Sequence, residues 1–402
     1  MLFNSVEFFI FLLIVFTLYW LIPRNHIKYK NLLILISSYF FYAWWDYRFL
    51  VLIILSTIVD YLCAKTIYNS KTNLKRKIFL IISILFNLTL LGFFKYFNFF
   101  LESFYDLLNQ LGFTLNKWSL NIILPVGISF YTFQTLSYSI DIYRNKFKPV
   151  NNFIAFSSFI SFFPQLVAGP IERASNLLPQ FLTKKEINNK ILIQGTRLII
   201  FGLFKKVFIA DSLAPYVDNI FLNFDSLGFI TLWLGAIYFA IQIYCDFSGY
   251  SDIAIGTAKL FGFELKSNFR FPYFSRNIAE FWRRWHISLS SWFRDYLYIP
   301  LGGSRFGKLI SLRNIFIIFI VSGFWHGSNW TFIFWGLVHA ILYIPTFIFN
   351  TNRKYLNDLN SNLFYFPNFN ELINIFTNFV FVTIAWVFFR SNSIESSFSY
   401  II

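Results

Sequence analysis

A chain of 402 residues that is 57% hydrophobic and only 13% charged carries about half the charge of a soluble protein, in which roughly a quarter of residues are charged. Its apolar residues stand in long unbroken blocks, which excludes a soluble globular enzyme, and the two cysteines, Cys63 and Cys245, form neither a disulfide framework nor a metal motif. The net charge of +15 does not indicate nucleic acid, because Lys and Arg flank the apolar blocks instead of lining one soluble face.

A helix needs roughly 20 apolar residues, and at least about 17, to cross a hydrocarbon core. The block at 6–22 reaches that length. It has no basic segment before it and no small-residue cleavage site, so it reads as a retained first span and not as a signal peptide. Blocks at 32–45 and 49–64 follow, parted by Asp46, Tyr47 and Arg48. Next come 78–94, an amphipathic stretch at 101–120, and a fifth span at 121–140. Basic residues gather on alternate connections: Arg24, Lys28 and Lys30, then Lys65 to Lys77, then Arg144, Lys146 and Lys148. That alternation is the positive-inside pattern with the N-terminus outside.

Residues 153–169 contain Pro164, which interrupts a helix. Broken backbone at membrane depth survives only inside protein or against a cavity, so a re-entrant segment is expected there. Blocks at 191–210 and 227–244 read as further spans, although this sets Lys205 and Lys206 on the outer side. The stretch 246–308 is the least apolar and strongly basic, and it predicts short amphipathic helices on the cytoplasmic side. Spans resume at 309–324, 330–349 and 372–389, with a polar, Asn-rich loop at 350–370. The whole predicts an all-α polytopic membrane protein built as one membrane-embedded domain over 1–402, with no repeat and no soluble domain.

Four histidines are present: His26, His286, His326 and His339. His26 lies in a basic loop and reads as a solvated residue. His339 sits in an apolar span beside Gly336 and Ala340, where helix packing explains it. His326 lies in SGFWHGSNW (322–330). From Asn314 to His326 a helix rises about 18 Å, near the middle of a hydrocarbon layer about 30 Å thick. An ionisable group there marks a functional interior by default, and Gly323 and Gly327 would let a substrate approach closely. The competing reading is a packing histidine bonded to a carbonyl.

His286 lies in WRRWHISLS (282–290). Tryptophans beside arginines serve either as interfacial anchors or as a cradle for an anionic nucleotide, by ion pairing and stacking. Local spacing leaves both open. Arg283, Arg284 and Trp285, with Trp325, Asn329 and Asp246, are the candidate donor- or substrate-binding positions. No other catalytic apparatus competes: the sequence has no G-x-S-x-G elbow, P-loop or H-E-x-x-H motif, and no close cysteine–histidine pair.

Together, 125–144, 163–180, 243–262, 268–303 with its run WRRWHISLSSWFRDYLYIPLGG (282–303), and 322–329 with SGFWHG (322–327) resemble the membrane-bound O-acyltransferase family, in the branch that O-acetylates alginate. The resemblance runs from the N-terminus to about residue 390. It implies a helical bundle around a tunnel open to both faces, in the inner (cytoplasmic) membrane. His326 matches the family's catalytic histidine and His286 its second signature histidine. An acyl thioester such as acetyl-CoA is the implied donor, entering from the cytoplasm as substrate, with no bound cofactor and no metal. His326 would act as general base on an acceptor hydroxyl or receive the acyl group itself. The implied acceptor side holds a polysaccharide or an extracytoplasmic acyltransferase partner. Family members continue with further hydrophobic segments, so this chain is expected to lack their C-terminal helices. Two alternatives stand beside this reading: D-alanyl transfer to teichoic acid by a sibling branch, and a transporter or flippase, whose usual internal repeat is not found.

The charge pattern makes a direct prediction about orientation. A cysteine placed near Lys75 should resist an impermeant thiol reagent in intact cells, and one placed near Asp46 should react. Labelling at both positions, or the reverse pattern, contradicts the orientation.

Overall fold

The computed structural model describes residues 1–113, 118–167, 169–356 and 367–402, and all their regular structure is helical. Hydrocarbon offers no partners to backbone N–H and C=O groups, and a helix satisfies its own. The α-helices are α1 Val6–Leu21, α2 Ile27–Ala43, α3 Leu50–Asn69, α4 Asn73–Leu91, α5 Phe97–Gln110, α6 Ile128–Tyr143, α7 Phe153–Ile160, α8 Phe163–Leu166, α9 Ala174–Leu177, α10 Asn189–Leu203, α11 Asp211–Leu222, α12 Phe229–Leu260, α13 Ile278–Arg284, α14 Ile287–Phe293, α15 Lys308–His326, α16 Trp330–Ile348, α17 Phe369–Arg390 and α18 Ile394–Ile401. Contacts divide the chain into two units, Met1–Gly202 with Tyr250–Lys266, and Leu203–Gly249 with Ser267–Ile402. Among the described residues six helical segments are long and apolar enough to cross a membrane: Tyr47–Asn69, Asn73–Gln110, Phe229–Leu260, Lys308–His326, Trp330–Ile348 and Phe369–Arg390.

Several boundaries differ from the expectation. The stretch predicted as a span at 121–140 is irregular up to Gly127, and α6 then runs Ile128–Tyr143. Pro125 lacks a donor and Gly127 takes a left-handed φ of 77°, so neither continues a helix. A side chain on Gly127 would also lie 2.5 Å from the Leu166 carbonyl oxygen. Residues 78–94 and the first half of the amphipathic stretch expected at 101–120 form one 38-residue helical segment, Asn73–Gln110; 114–117 of that stretch lie outside the described residues. The span expected at 227–244 runs on to Leu260 and carries Asp246 inside it. A polar side chain does not end a helix as a proline does, and the chain has no proline between Pro215 and Pro272. The break at Pro164 is present: α7 ends at Ile160, and Pro164 opens the short, buried α8.

In the first unit, α3, α4 and α6 pack around a carboxylate. Asp60 is fully buried and accepts hydrogen bonds from Ser83 Oγ, Asn87 Nδ2 (2.8 Å) and Ser139 Oγ (3.2 Å). The polar stripe of three apolar helices is therefore satisfied internally, as a low dielectric demands.

In the second unit, Lys205 donates to Ser248 Oγ at 3.1 Å. Lys206 pairs with Asp211 at 2.7 Å and Asp246 at 2.6 Å. These two lysines, awkward for a charge-based topology, have partners within the fold. The long spans α15 and α16 form a hairpin of unusually close approach. A Cβ on Gly323 would stand 2.1 Å from the Phe332 carbonyl oxygen, and one on Gly336 would stand 2.2 Å from that of Phe319. Asn329 starts α16 by accepting the Thr331 N–H at 3.0 Å. Around this hairpin Phe281, Trp282, Trp285, Trp335, Val382 and Trp386 form the core of the unit.

Gly336→Val should therefore cost about 1–3 kcal/mol or more, as overpacking does, and lower the melting temperature of the detergent-solubilised protein. Gly228→Ala, with open space around it, should leave that temperature unchanged. Equal behaviour of the two variants would contradict the close hairpin.

Candidate active site

The segment from Asn268 to Phe293 is held by hydrogen bonds rather than by long helices. Asn277 caps α13 by accepting the Glu280 N–H at 2.8 Å. Glu280 is fully buried and takes Arg276 Nη2 at 2.9 Å and Arg284 Nη2 at 2.6 Å, while Arg276 also reaches Glu371 at 2.9 Å. A buried carboxylate with two guanidinium partners is stable where an isolated one would not be. Its effect is to tie α13 to the start of α17.

After α13 the chain turns sharply. His286 adopts φ 43°, a left-handed conformation uncommon for a residue with a side chain and often retained at functional positions. The turn is pinned by Asn268, whose backbone oxygen accepts the Ile287 N–H at 2.9 Å. Its side-chain Oδ1 accepts Ser288 N–H at 3.2 Å and Ser288 O–H at 2.9 Å, and lies 3.1 Å from His286 Nδ1. The Arg270 N–H adds a bond to the Arg284 carbonyl at 2.9 Å. His286 is almost fully buried; its ring meets Phe247 edge-on at 4.7 Å, and Nε2 has no hydrogen-bond partner among the described residues. Burial pushes its pKa down to about 3, so the ring is neutral at physiological pH.

His326 is the last residue of α15. The spans expected at 309–324 and 330–349 leave His326 between them; the structure carries α15 on to His326, at the tip of the α15–α16 hairpin, where Gly327 ends the helix. The flanking glycines also serve differently from the expectation. The space beside Gly323 is taken by the Phe332 carbonyl and that beside Gly327 by the Phe332 ring, so they permit helix contact instead of substrate approach. His326 itself is half-buried, with Trp325, Trp335 and Phe389 at ring distances of 4.9, 5.2 and 5.5 Å. Its ring centroid lies 6.3 Å from that of His286, and Trp325 stands 6.0 Å from His286. Forty positions apart in the chain, the two histidines share one aromatic enclosure. At that separation their nitrogens are too far apart for a direct hydrogen bond, which needs about 3 Å.

A cavity of about 660 Å³ lies against this enclosure. Its wall includes Ile287, next to His286, and Ser322, one helical turn before His326. Trp282, Phe319 and Phe347 give it an apolar lining, and Arg270, Arg283, Arg294 and Arg353 supply positive charge. Such a site suits a ligand with an apolar arm and an anionic head.

The other candidates separate into two groups. Arg283 lines the cavity and donates to the Asn352 carbonyl at 2.6 Å. Arg284 is bound to Glu280, and Trp285 is a core residue stacked on Phe281 at 5.6 Å. Asn329 is a helix cap that also donates to the Asn392 carbonyl at 3.2 Å, and Asp246 is the ion-pair partner of Lys206. His339 is fully buried among Trp335 (4.8 Å) and Trp282 (5.0 Å), a packing position. Sequence reasoning missed Arg270, Arg294 and Arg353 as cavity residues, and Asn268 as the partner of His286. The basic composition of 246–308 pointed to the first two; Arg353 stood in what read as an ordinary loop. No group of residues able to hold a metal ion occurs among the described residues.

The pattern of the membrane-bound O-acyltransferase family matches residues 144–398. The peptidoglycan O-acetyltransferase of Helicobacter pylori is 37% identical, over 99% of this chain and 78% of its own. A probable alginate O-acetylase, AlgI, of Pseudomonas syringae is 41% identical, over 98% and 72%. The teichoic acid D-alanyltransferase of Bacillus subtilis is 30% identical over 58% of this chain and 62% of its own. With the fold and these relatives in agreement, the chain belongs to the membrane-bound O-acyltransferase family and is an O-acyltransferase.

Proposed function

We propose that this enzyme transfers an acetyl group from a cytoplasmic thioester, such as acetyl-CoA, toward O-acetylation of a polysaccharide outside the inner membrane. The observation that carries this reading is the 6.3 Å approach of the His286 and His326 rings beside a cavity lined by four arginines. The two O-acetylating relatives align with nearly the whole chain, which supports acetyl over D-alanyl as the group moved. Family membership displaces the transporter reading. The acceptor is a glycan hydroxyl or the hydroxyl of an extracytoplasmic acyltransferase partner.

In this mechanism the arginines hold the anionic head of the donor and the apolar wall holds its arm. The acceptor oxygen attacks the thioester carbonyl carbon, an O–C bond forms and the C–S bond breaks. His326 takes the hydroxyl proton and returns it to the departing sulfur, so it ends as it began. Trp325 and Trp335 limit the water that would hydrolyse the thioester.

His326→Ala should leave the protein inserted and folded, since it removes one half-buried side chain at a helix end. Transfer of labelled acetyl to the acceptor should fall at least about a hundredfold, the lower end for losing a positioned general base. His326→Gln should be as inactive, because glutamine replaces a hydrogen bond but carries no proton. Near-normal activity in the glutamine variant reduces His326 to a positioning role, and near-normal activity in the alanine variant removes it from the mechanism.

The arginines should separate in kind. Arg270→Ala should raise the donor KM about tenfold, the equivalent of one charge-assisted contact, with thermal stability unchanged. Arg284→Ala strips a partner from buried Glu280 and should cost about 3 kcal/mol of stability. A donor KM that moves with Arg284 and not with Arg270 would contradict the cavity assignment.

A further inference from the structure

A neutral imidazole carries its one proton on either ring nitrogen, and the two tautomers present opposite chemistry to whatever they face. The choice is made by the partner of the other nitrogen. At His286 that partner is the side chain of Asn268, 3.1 Å from Nδ1. Asparagine presents either an oxygen or an NH2 there, and the two look alike by shape. The Ser288 backbone decides. Its N–H can only donate, and it points at the same Asn268 atom at 3.2 Å, so that atom is the carbonyl oxygen. An oxygen cannot donate to Nδ1, so Nδ1 must carry the proton. Nε2 is then left as a bare lone pair, buried and with no hydrogen-bond partner among the described residues.

We propose that Asn268 is a positioning residue that locks His286 in the Nδ1–H tautomer, so that Nε2 faces the reaction site only as a hydrogen-bond acceptor. This rests on the reading of His286 and His326 as one site. It assigns His286 a side of the reaction. A bare Nε2 cannot stabilise the oxyanion that develops on the thioester carbonyl, which needs a donor. It can accept from a hydroxyl other than the one that gives its proton to His326, such as a neighbouring hydroxyl of a sugar, so it serves the acceptor and not the acyl donor. The left-handed backbone at His286 and the bonds from Ile287 and Ser288 to Asn268 fix the ring against rotation out of this arrangement. Ser288 O–H, also bound to Oδ1, keeps that oxygen in place.

The test is the tautomer itself, read by 15N NMR of histidine-labelled protein in lipid bilayers. The chain has four histidines, and the His286 signals are those lost in His286→Gln. The expected wild-type spectrum shows His286 Nδ1 protonated and Nε2 bare. The opposite tautomer overturns the proposal, and this result needs no variant of Asn268 that folds. Asn268→Leu removes the acceptor; the Nε2–H form should appear and turnover should fall about 10- to 100-fold, the range for partners that orient a functional imidazole. The donor KM should stay within about twofold. Asn268→Asp keeps an acceptor oxygen and should keep Nδ1 protonated with most of the turnover. Full turnover in Asn268→Leu overturns the positioning role. Full turnover in His286→Gln removes His286 from the reaction and overturns the role of Asn268 with it, while the activity of His326 variants judges the acyl-transfer reading separately.

Discussion

The backbone contact between Gly323 on α15 and Gly336 on α16 is the constraint on which the second unit depends. Between spans in lipid there is no hydrophobic driving force, because hydrocarbon chains are as apolar as the side chains they would leave. Close van der Waals packing through small residues supplies the association. Here each glycine admits the carbonyl of a phenylalanine on the facing helix, Phe332 or Phe319. That contact fixes the register of the hairpin, and the register decides which side chains surround its tip. It sets Trp335 of α16 5.2 Å from His326. Phe389 of α17 packs beside Trp335, at 5.2 Å, and meets the His326 ring at 5.5 Å. A sliding of one helix by a single turn, about 5.4 Å, would exchange these neighbours and disperse the site.

A second constraint is the treatment of charge. Glu280, Asp60, Lys205 and Lys206 all lie in or beside apolar segments, and each has a specific partner. Glu280 has the clearest functional consequence. It draws Arg276 and Arg284 inward, away from the cavity, and leaves Arg283, Arg270, Arg294 and Arg353 to line it. Neighbouring arginines in one run thus do different jobs: Arg284 neutralises a buried carboxylate, and Arg283 faces a ligand-sized space. The division follows helical geometry, because positions four apart share a face of α13, and Glu280 meets Arg284 in that way.

The polytopic all-α character was legible because membrane helices announce themselves by unbroken apolar length, as at Lys308–His326 and Trp330–Ile348. His286 and His326, which the structure brings together, stood out by their motifs as well. The boundaries that failed did so for local reasons. Gly127 and Pro125 were apolar enough to be counted in a span at 121–140, yet their backbone preferences deny a helix. Asp246 looked like a terminus, yet Lys206 neutralises it within a helix that continues to Leu260. The roles of Gly323 and Gly327 were invisible because a glycine beside a histidine reads the same whether the space is left for a substrate or filled by Phe332. Asn268 opened the 268–303 stretch of the resemblance, but nothing in it marked that side chain as the partner of His286. Its importance comes from a turn that returns the chain to it eighteen residues later, and no local periodicity encodes such a meeting.

The central claim is that His286 and His326 act as one catalytic unit within a shared enclosure. Residues that act together are non-additive: once one is lost, losing the other costs little more. The direct measurement is a double-mutant cycle on acyl transfer, comparing His286→Gln, His326→Gln and the double variant at equal abundance in the membrane. The account predicts that the double variant is no slower than the slower single one, within about threefold. Losses that multiply, so that the double variant falls by the product of the two single effects, would show two independent sites and contradict it.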